Sequence, residues 1–182
     1  MNILVFNCGS SSLNYKLYQF REPDQLIIVS SGKAHRVGGT GSQPSYIEHH
    51  HNSTNTKFEI PIPNHRTAAN LILDYIRQHD IPVDIIGHRF VHGGSDFQKS
   101  VILTQENEAT LRDCLPLAPI HNPNSMSVIE ICKETLPQTP QYLTFDTAFH
   151  SGLAPAAYTY AISPDIARER GWRKYGFHGL SY

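Results

Sequence analysis

The chain has 182 residues, enough for one domain with a substantial core, and it balances 15 basic against 16 acidic side chains. That balance gives no electrostatic reason to expect a nucleic-acid or membrane-surface partner. No apolar run approaches the about 18 residues that span a bilayer, no charged leader precedes an apolar segment, and three scattered cysteines (Cys8, Cys114, Cys132) are too few for a disulfide frame. A cytoplasmic protein in reducing surroundings is expected.

In chain order, residues 2–7 read as a strand that stops at Asn7-Cys8-Gly9-Ser10-Ser11-Ser12. Residues 13–20 form a second strand with Leu13, Tyr15 and Leu17 on one face, and 26–36 a third. Residues 37–66 are polar and rich in Gly, Ser, Asn, His and Pro; they read as a loop-rich excursion with room for a strand at 57–62 and with His49-His50-His51 in solvent. Ala68, Leu71, Ile72, Tyr75 and Ile76 then mark one face of a helix. A buried strand over 83–91 ends at Gly93-Gly94, and a helix over 105–115 follows the cap Thr104. Asn122-Pro123, a cap followed by proline at the first helical position, signals the start of a helix over 124–135. Residues 142–146 form a short strand ending in Asp146, and a last helix runs from Ser163-Pro164 to Gly171. The tail, WRKYGFHGLSY, has no period. Early hairpin-linked strands followed by alternating helices and strands predict an α/β fold.

Five stretches carry chemistry. The turn with Ser10, Ser11 and Ser12 is either a phosphate cradle of hydroxyls and free N–H groups or a serine-rich hairpin. It joins strand to strand and lacks the Walker pattern. In GHRFVHGG (87–94), period two puts Arg89 and Val91 on one face and His88 and His92 on the other. Arg89 is suited to holding a carboxylate or phosphate, or to pairing with a structural acid. His121, in LAPIHNP, stands just before a helix start, where anions are stabilised. Asp146, in FDTAFH, lies at a strand's C-terminal end, where ligands gather in open α/β sheets. His178, in YGFHG, sits between a phenylalanine and a glycine. A histidine metal site is not expected: His88 and His92 would lie roughly 13 Å apart along a strand.

Together, NCGSSSLNYKLY, GHRFVHGG, LAPIHNP, FDTAFH and RKYGFHG resemble, in this order and across the whole chain, the blocks of the acetate and propionate kinase family. The resemblance implies an actin-like ATPase domain, ribonuclease H-like, with a mixed β-sheet and flanking helices. It implies the reaction of ATP and acetate to ADP and acetyl phosphate, with Mg²⁺ and with ATP as co-substrate. By the same resemblance, Arg89 binds the carboxylate and the migrating phosphoryl group, and Val91, Ile120 and Phe177 form the pocket for the methyl group. His121 and His178 border the phosphoryl group, Asp146 serves the acyl site, Ser10, Ser11 and Ser12 line the phosphate loop, and Asn7 lies near the metal. The sequence departs from the family at Asn14, where a lysine is usual, and at Leu180-Ser181-Tyr182, where Thr-Ser-His is usual.

Family members are about twice as long. Residues 1–182 therefore read as the N-terminal acetokinase-type domain, with the C-terminal nucleotide-binding domain, a second arginine and a metal-positioning glutamate absent. Two functions stay open: one part of a phosphotransferase that needs a C-terminal half or a homodimer, or a non-catalytic remnant or binding module that keeps the acyl and phosphate pocket.

Overall fold

The computed structural model describes residues 1–22 and 24–182. Eight strands build one sheet: β1 (Asn2–Cys8), β2 (Ser12–Arg21), β3 (Gln25–His35), β4 (Tyr46–His51), β5 (Thr54–Glu59), β6 (Ile85–Phe90), β7 (Val101–Ile102) and β8 (Gln141–Phe145). Their order is β5-β4-β3-β2-β1-β6-β8-β7. The first five strands form an antiparallel meander, β6 lies parallel to β1 and β8 parallel to β6, and β7 closes the far edge antiparallel to β8. The sheet is mixed, as expected.

Period-two patterning decides which face is buried. In β1, Leu4, Phe6 and Cys8 point inward; in β2, Leu13, Tyr15 and Leu17 do; in β6, Ile86, His88 and Phe90 do. Two helices cover this face, α1 (His65–Gln78) and, after α2 (Gln105–Asp113), α3 (Asn122–Thr135). Ala68, Ile72 and Ile76 of α1 and Val128 and Cys132 of α3 join the strand residues in one core. A second core gathers Phe90, Phe97, Leu111, Met126, Ile129, Leu143 and Phe145 around β6 and β8. The helices start where local chemistry directs. Asn64 accepts from Thr67 N–H to cap α1, and Thr104 and Asn107 form a reciprocal capping box on α2.

Four expectations are corrected. Residues 46–59 are not loop: β4 and β5 form a hairpin joined at Asn52-Ser53, both with positive φ, as a tight hairpin turn requires. The strand expected at 57–62 falls instead at Thr54–Glu59. His49 is not in solvent but 2% exposed, stacked on Tyr75 of α1 and hydrogen-bonded to the Tyr15 hydroxyl. Asn122 is the first residue of α3 rather than its cap; that place falls to His121. The two-residue strand β7 has no signal of its own in the sequence. Beyond β8 come only α4 (Pro155–Tyr158), α5 (Pro164–Glu169) and 3₁₀ turns at Ala148–Gly152 and Gly179–Ser181. Among the described residues no helix is long and apolar enough to cross a membrane.

Candidate active site

The second face of the sheet is left open where β1, β6 and β8 run side by side. Residues of one parity, Val5 and Asn7, Gly87 and Arg89, Tyr142 and Thr144, line a cleft of about 610 Å³ there, closed on one side by Asp146, His178, Leu180 and Ser181. The same alternation that sends Phe6, His88 and Phe90 into the core brings Arg89 to this face.

Arg89 is held at three points. Its Nε donates to Asp146 Oδ1 at 2.9 Å and its Nη2 to Asp146 Oδ2 at 2.5 Å, while Nη1 donates to Asn7 Oδ1 at 3.1 Å. A guanidinium carries five N–H groups. Three are engaged, which leaves one on Nη1 and one on Nη2, a free fork at the cleft. Asp146 is fixed in turn: it is 1% exposed, and its N–H donates to Phe90 O, extending the β6–β8 pairing by one residue. The Asp146 hydrogen bonds, ahead of its charge, hold the Arg89 guanidinium more firmly protonated than usual.

The tail is docked beside them through its glycines. A Cβ at Gly179 would stand 2.5 Å from Asp146 O, and one at Gly176 2.3 Å from the His150 ring; neither position admits a side chain. Gly179 N–H donates to Asp146 O, and the His150 ring pairs with Phe177 O. Between them His178 adopts φ +58°, a conformation that costs a non-glycine residue about 1–2 kcal/mol.

Asn7, Arg89, Asp146 and His178 therefore share one cleft. Ser10, Ser11 and Ser12 form the tip of the β1–β2 hairpin three residues beyond Asn7, closed by Gly9 N–H on Ser12 O, with Ser10 and Ser11 exposed. The other candidates gather around His92 instead. Val91 precedes it and is buried, and Phe177 meets its ring edge-on at 5.5 Å. Ile120 and His121 enter α3 just before Asn122, whose amide grips the His92 backbone. Ile120 is 67% exposed and the Nδ1 of His121 is buried without a partner.

Three contributors escaped sequence reasoning. Asn122 is fully buried; its Oδ1 accepts from His92 N–H, and its Nδ2 donates to His92 O and Cys114 O. The Thr147 hydroxyl accepts from Gly93 N–H. His88, behind Arg89, is pushed down to about 4 by burial and donates from Nε2 to Gln141 Oε1 as a neutral ring. The Asn-Pro pair was the available signal for Asn122, but it reads equally as a cap.

The residues present do not build a magnesium site by themselves. Among the described residues no three His, Cys, Asp or Glu side chains cluster for a metal, both Asp146 oxygens face Arg89, and Asn7 Oδ1 accepts from it. A slightly larger groove, about 660 Å³, runs beside α2, but Glu108, Arg112 and Lys133 within it are already ion-paired with one another.

The model of the family described as Acetokinase family matches residues 2–182. The chain belongs to the acetokinase family. It is similar to the acetate kinase of Clostridioides difficile (strain 630), at 37% identity over 191 residues covering 100% of this chain and 46% of that one. The crystal structure of acetate kinase from Entamoeba histolytica matches with a TM-score of 0.85 at 47% identity, over 100% of this chain and 44% of that chain. A propionate kinase from Francisella tularensis subsp. tularensis SCHU S4 matches with a TM-score of 0.86 at 30% identity, over 99% and 46%. The chain thus has the actin-like fold of these kinases. It spans about half the length of the curated relatives it matches and corresponds to their N-terminal half.

Proposed function

We propose that the chain is the acyl- and phosphoryl-binding half of an acetate-kinase-type phosphotransferase, which converts ATP and acetate to ADP and acetyl phosphate together with a second half that brings the nucleotide. The observation that carries this reading is the Arg89 fork. A cation pinned from behind by Asp146 and Asn7, with two N–H groups to spare at a cleft, suits a carboxylate or phosphoryl group.

In this reading a carboxylate oxygen, ionised at neutral pH, attacks the terminal phosphorus of ATP. The new O–P bond forms as the bond to the ADP oxygen breaks, and no proton has to move. Charge spreads over three equatorial oxygens, where Arg89 and the rings of His178 and His121 would stabilise it. Asp146 would act through Arg89, since both its oxygens point there, rather than on the acyl group directly. Val91, next to His92 in the chain, and Phe177, against the His92 ring, would receive the methyl group, with Ile120 folding in when the site is covered. The Ser10–Ser12 turn would hold phosphate. Magnesium would accompany ATP, and with the Asn7 oxygen turned to Arg89 the cation would be held mainly by phosphate oxygens. Three buried thiols, all free, fit the reducing cytoplasm in which we place the protein.

Titration of the chain with acetyl phosphate, beside a hydroxylamine assay for its formation, tests this. Binding is expected, weakened at least tenfold by Arg89→Ala, as befits charge-assisted hydrogen bonds worth about 1.5–3 kcal/mol. The chain alone is expected to make no acetyl phosphate. Absence of binding, or affinity unchanged in Arg89→Ala, would overturn the site; steady turnover by the chain alone would overturn its dependence on a second half.

A further inference from the structure

The Ser10–Ser12 turn hangs from a buried histidine. His65, the first residue of α1, is 4% exposed, and its Nε2 donates to Gly9 O at 2.9 Å, across 56 residues of chain. The ring is held from a fixed point, because Asn64 Oδ1 caps the start of α1 by accepting from Thr67 N–H. Two more carbonyls of the turn are tied down beside it. Ser11 O accepts from Val37 N–H at 2.9 Å, and Ser12 O from Gly9 N–H at 2.9 Å. The donors are treated the other way. Among the described residues the N–H groups of Ser10 and Ser11 have no acceptor, and both residues are exposed. A turn whose oxygens are fastened to the body of the protein presents N–H groups to solvent, the polarity that suits an anion.

We infer that His65 is a positioning residue for phosphate: by holding Gly9 O inward it aims the Ser10 N–H outward at a bound phosphoryl group. The inference rests on the reading above that this turn holds phosphate, and it adds the side chain that sets the turn's direction. The geometry is that of a single peptide unit. Gly9 O and Ser10 N–H belong to the same planar trans peptide, in which carbonyl and N–H point in opposite directions. A hydrogen bond that fixes one therefore fixes the other. Gly9 N–H closes the turn on Ser12 O, so the peptide before this one is pinned as well. A carbonyl only accepts, so Nε2 carries the ring proton and a neutral ring is enough for the hold. Burial lowers His65, which keeps the ring neutral at pH 7. Without the imidazole the peptide at an exposed turn is free to rotate, and the Ser10 donor loses its aim while the sheet stays whole. A site group held by a side chain that is itself locked on a helix is the arrangement that preorganises binding.

Nitrogen NMR of the labelled chain, titrated with inorganic phosphate, tests this. Phosphate is expected to move the Ser10 amide signal. His65→Phe keeps a ring in the core but has no donor, and it is expected to weaken phosphate binding about tenfold, the worth of one hydrogen bond to a charged group. His65→Gln returns an N–H donor and should recover most of that loss. Thermal melts run beside the titrations separate this from a purely structural role, which would lower stability without parting the two variants in phosphate affinity. Equal affinity in all three proteins, or a loss in His65→Gln as deep as in His65→Phe, would overturn the inference. The unaltered chain supplies a measurement that needs no variant to fold. Its His65 ring should carry the proton on Nε2, and the ring nitrogen signals should shift as phosphate saturates the Ser10 amide. A ring protonated on Nδ1 alone, or ring signals indifferent to phosphate, would likewise overturn it. Movement of the Arg89 Nε–H signal without movement at Ser10 would confine the anion to the guanidinium fork, which sinks this inference and leaves the acyl-site reading standing. A Ser10 response that depends on His65, together with acetyl phosphate binding unchanged in Arg89→Ala, would fault the functional reading and leave the role of His65 intact. Silence at both signals would fault both.

Discussion

Arg89 and Asp146, 57 residues apart in the chain, meet in a two-point ion pair in which the aspartate is almost wholly buried and the arginine side chain keeps a quarter of its surface. The two residues sit on neighbouring parallel strands, β6 and just past β8, so the sheet itself sets their separation. Removing one member leaves the other's charge uncompensated. Asp146→Ala is expected to cost about 3 kcal/mol in urea unfolding, the low end for a buried pair because Arg89 still reaches water. Asp146→Asn keeps the shape and one hydrogen bond. It should recover most of the stability yet still weaken acetyl phosphate binding, because Arg89 loses its fixed aim. Full binding in Asp146→Asn would argue against the positioning role.

Asn122 is a lock between two loops. Its amide satisfies three backbone groups, two on His92 and one on Cys114, in a site without water access. Asn122→Ala strands all three, and a stability loss of about 3 kcal/mol or more follows from desolvated, unpaired polar groups. Asn122→Asp can still accept from His92 N–H but donates to neither carbonyl, so it should be little better. Thermal melts of both variants decide this, and near-native stability of Asn122→Asp would show that the two carbonyls do not need the amide.

Acid should loosen the protein before its carboxylates titrate. Burial first, then the neighbouring His79 and His50, push His49 down to about 4, and burial does the same to His88. Their folded values lie below the about 6.5 of an unfolded histidine. The unfolded chain therefore takes up more protons as pH falls, and stability drops progressively from about pH 6.5 to about pH 4, levelling off below. Each ring contributes up to about 3 kcal/mol on this scale. Burial lowers His65 and His92 as well, so they add to the same decline; unfolding free energies measured from pH 7 to pH 4 should show it, and His49→Gln should flatten part of it. An unchanged slope in His49→Gln would mean that His49 charges in place without disturbing the fold.

Much of the site was legible because it depends on strand parity. GHRFVHGG has only one way to bury Phe90, and that way turns Arg89 to the open face. FDTAFH likewise puts Asp146 where a parallel strand ends. The β4–β5 hairpin was hidden for the opposite reason. Its inward residues include His49, a polar type that becomes core through Tyr75 and Tyr15, partners from α1 and β2 that no local window contains. Asn122 shows the same limit. A residue that looks like a helix cap from its neighbours is a buried lock because of a loop 30 positions earlier. Ile120 was grouped with Val91 and Phe177 by resemblance, yet its side chain stands mostly in water here.

The central place of β1 has a consequence for biogenesis. Of the eight strands, the earliest in the chain borders β2 on one side and β6 on the other. The five-strand meander can assemble as soon as residue 59 has emerged, whereas the parallel half must wait for β6 and then β8. Until then the inner edge of β1 hangs unzipped, and this order makes the nascent meander, rather than the finished protein, the stage most exposed to mispairing with its neighbours.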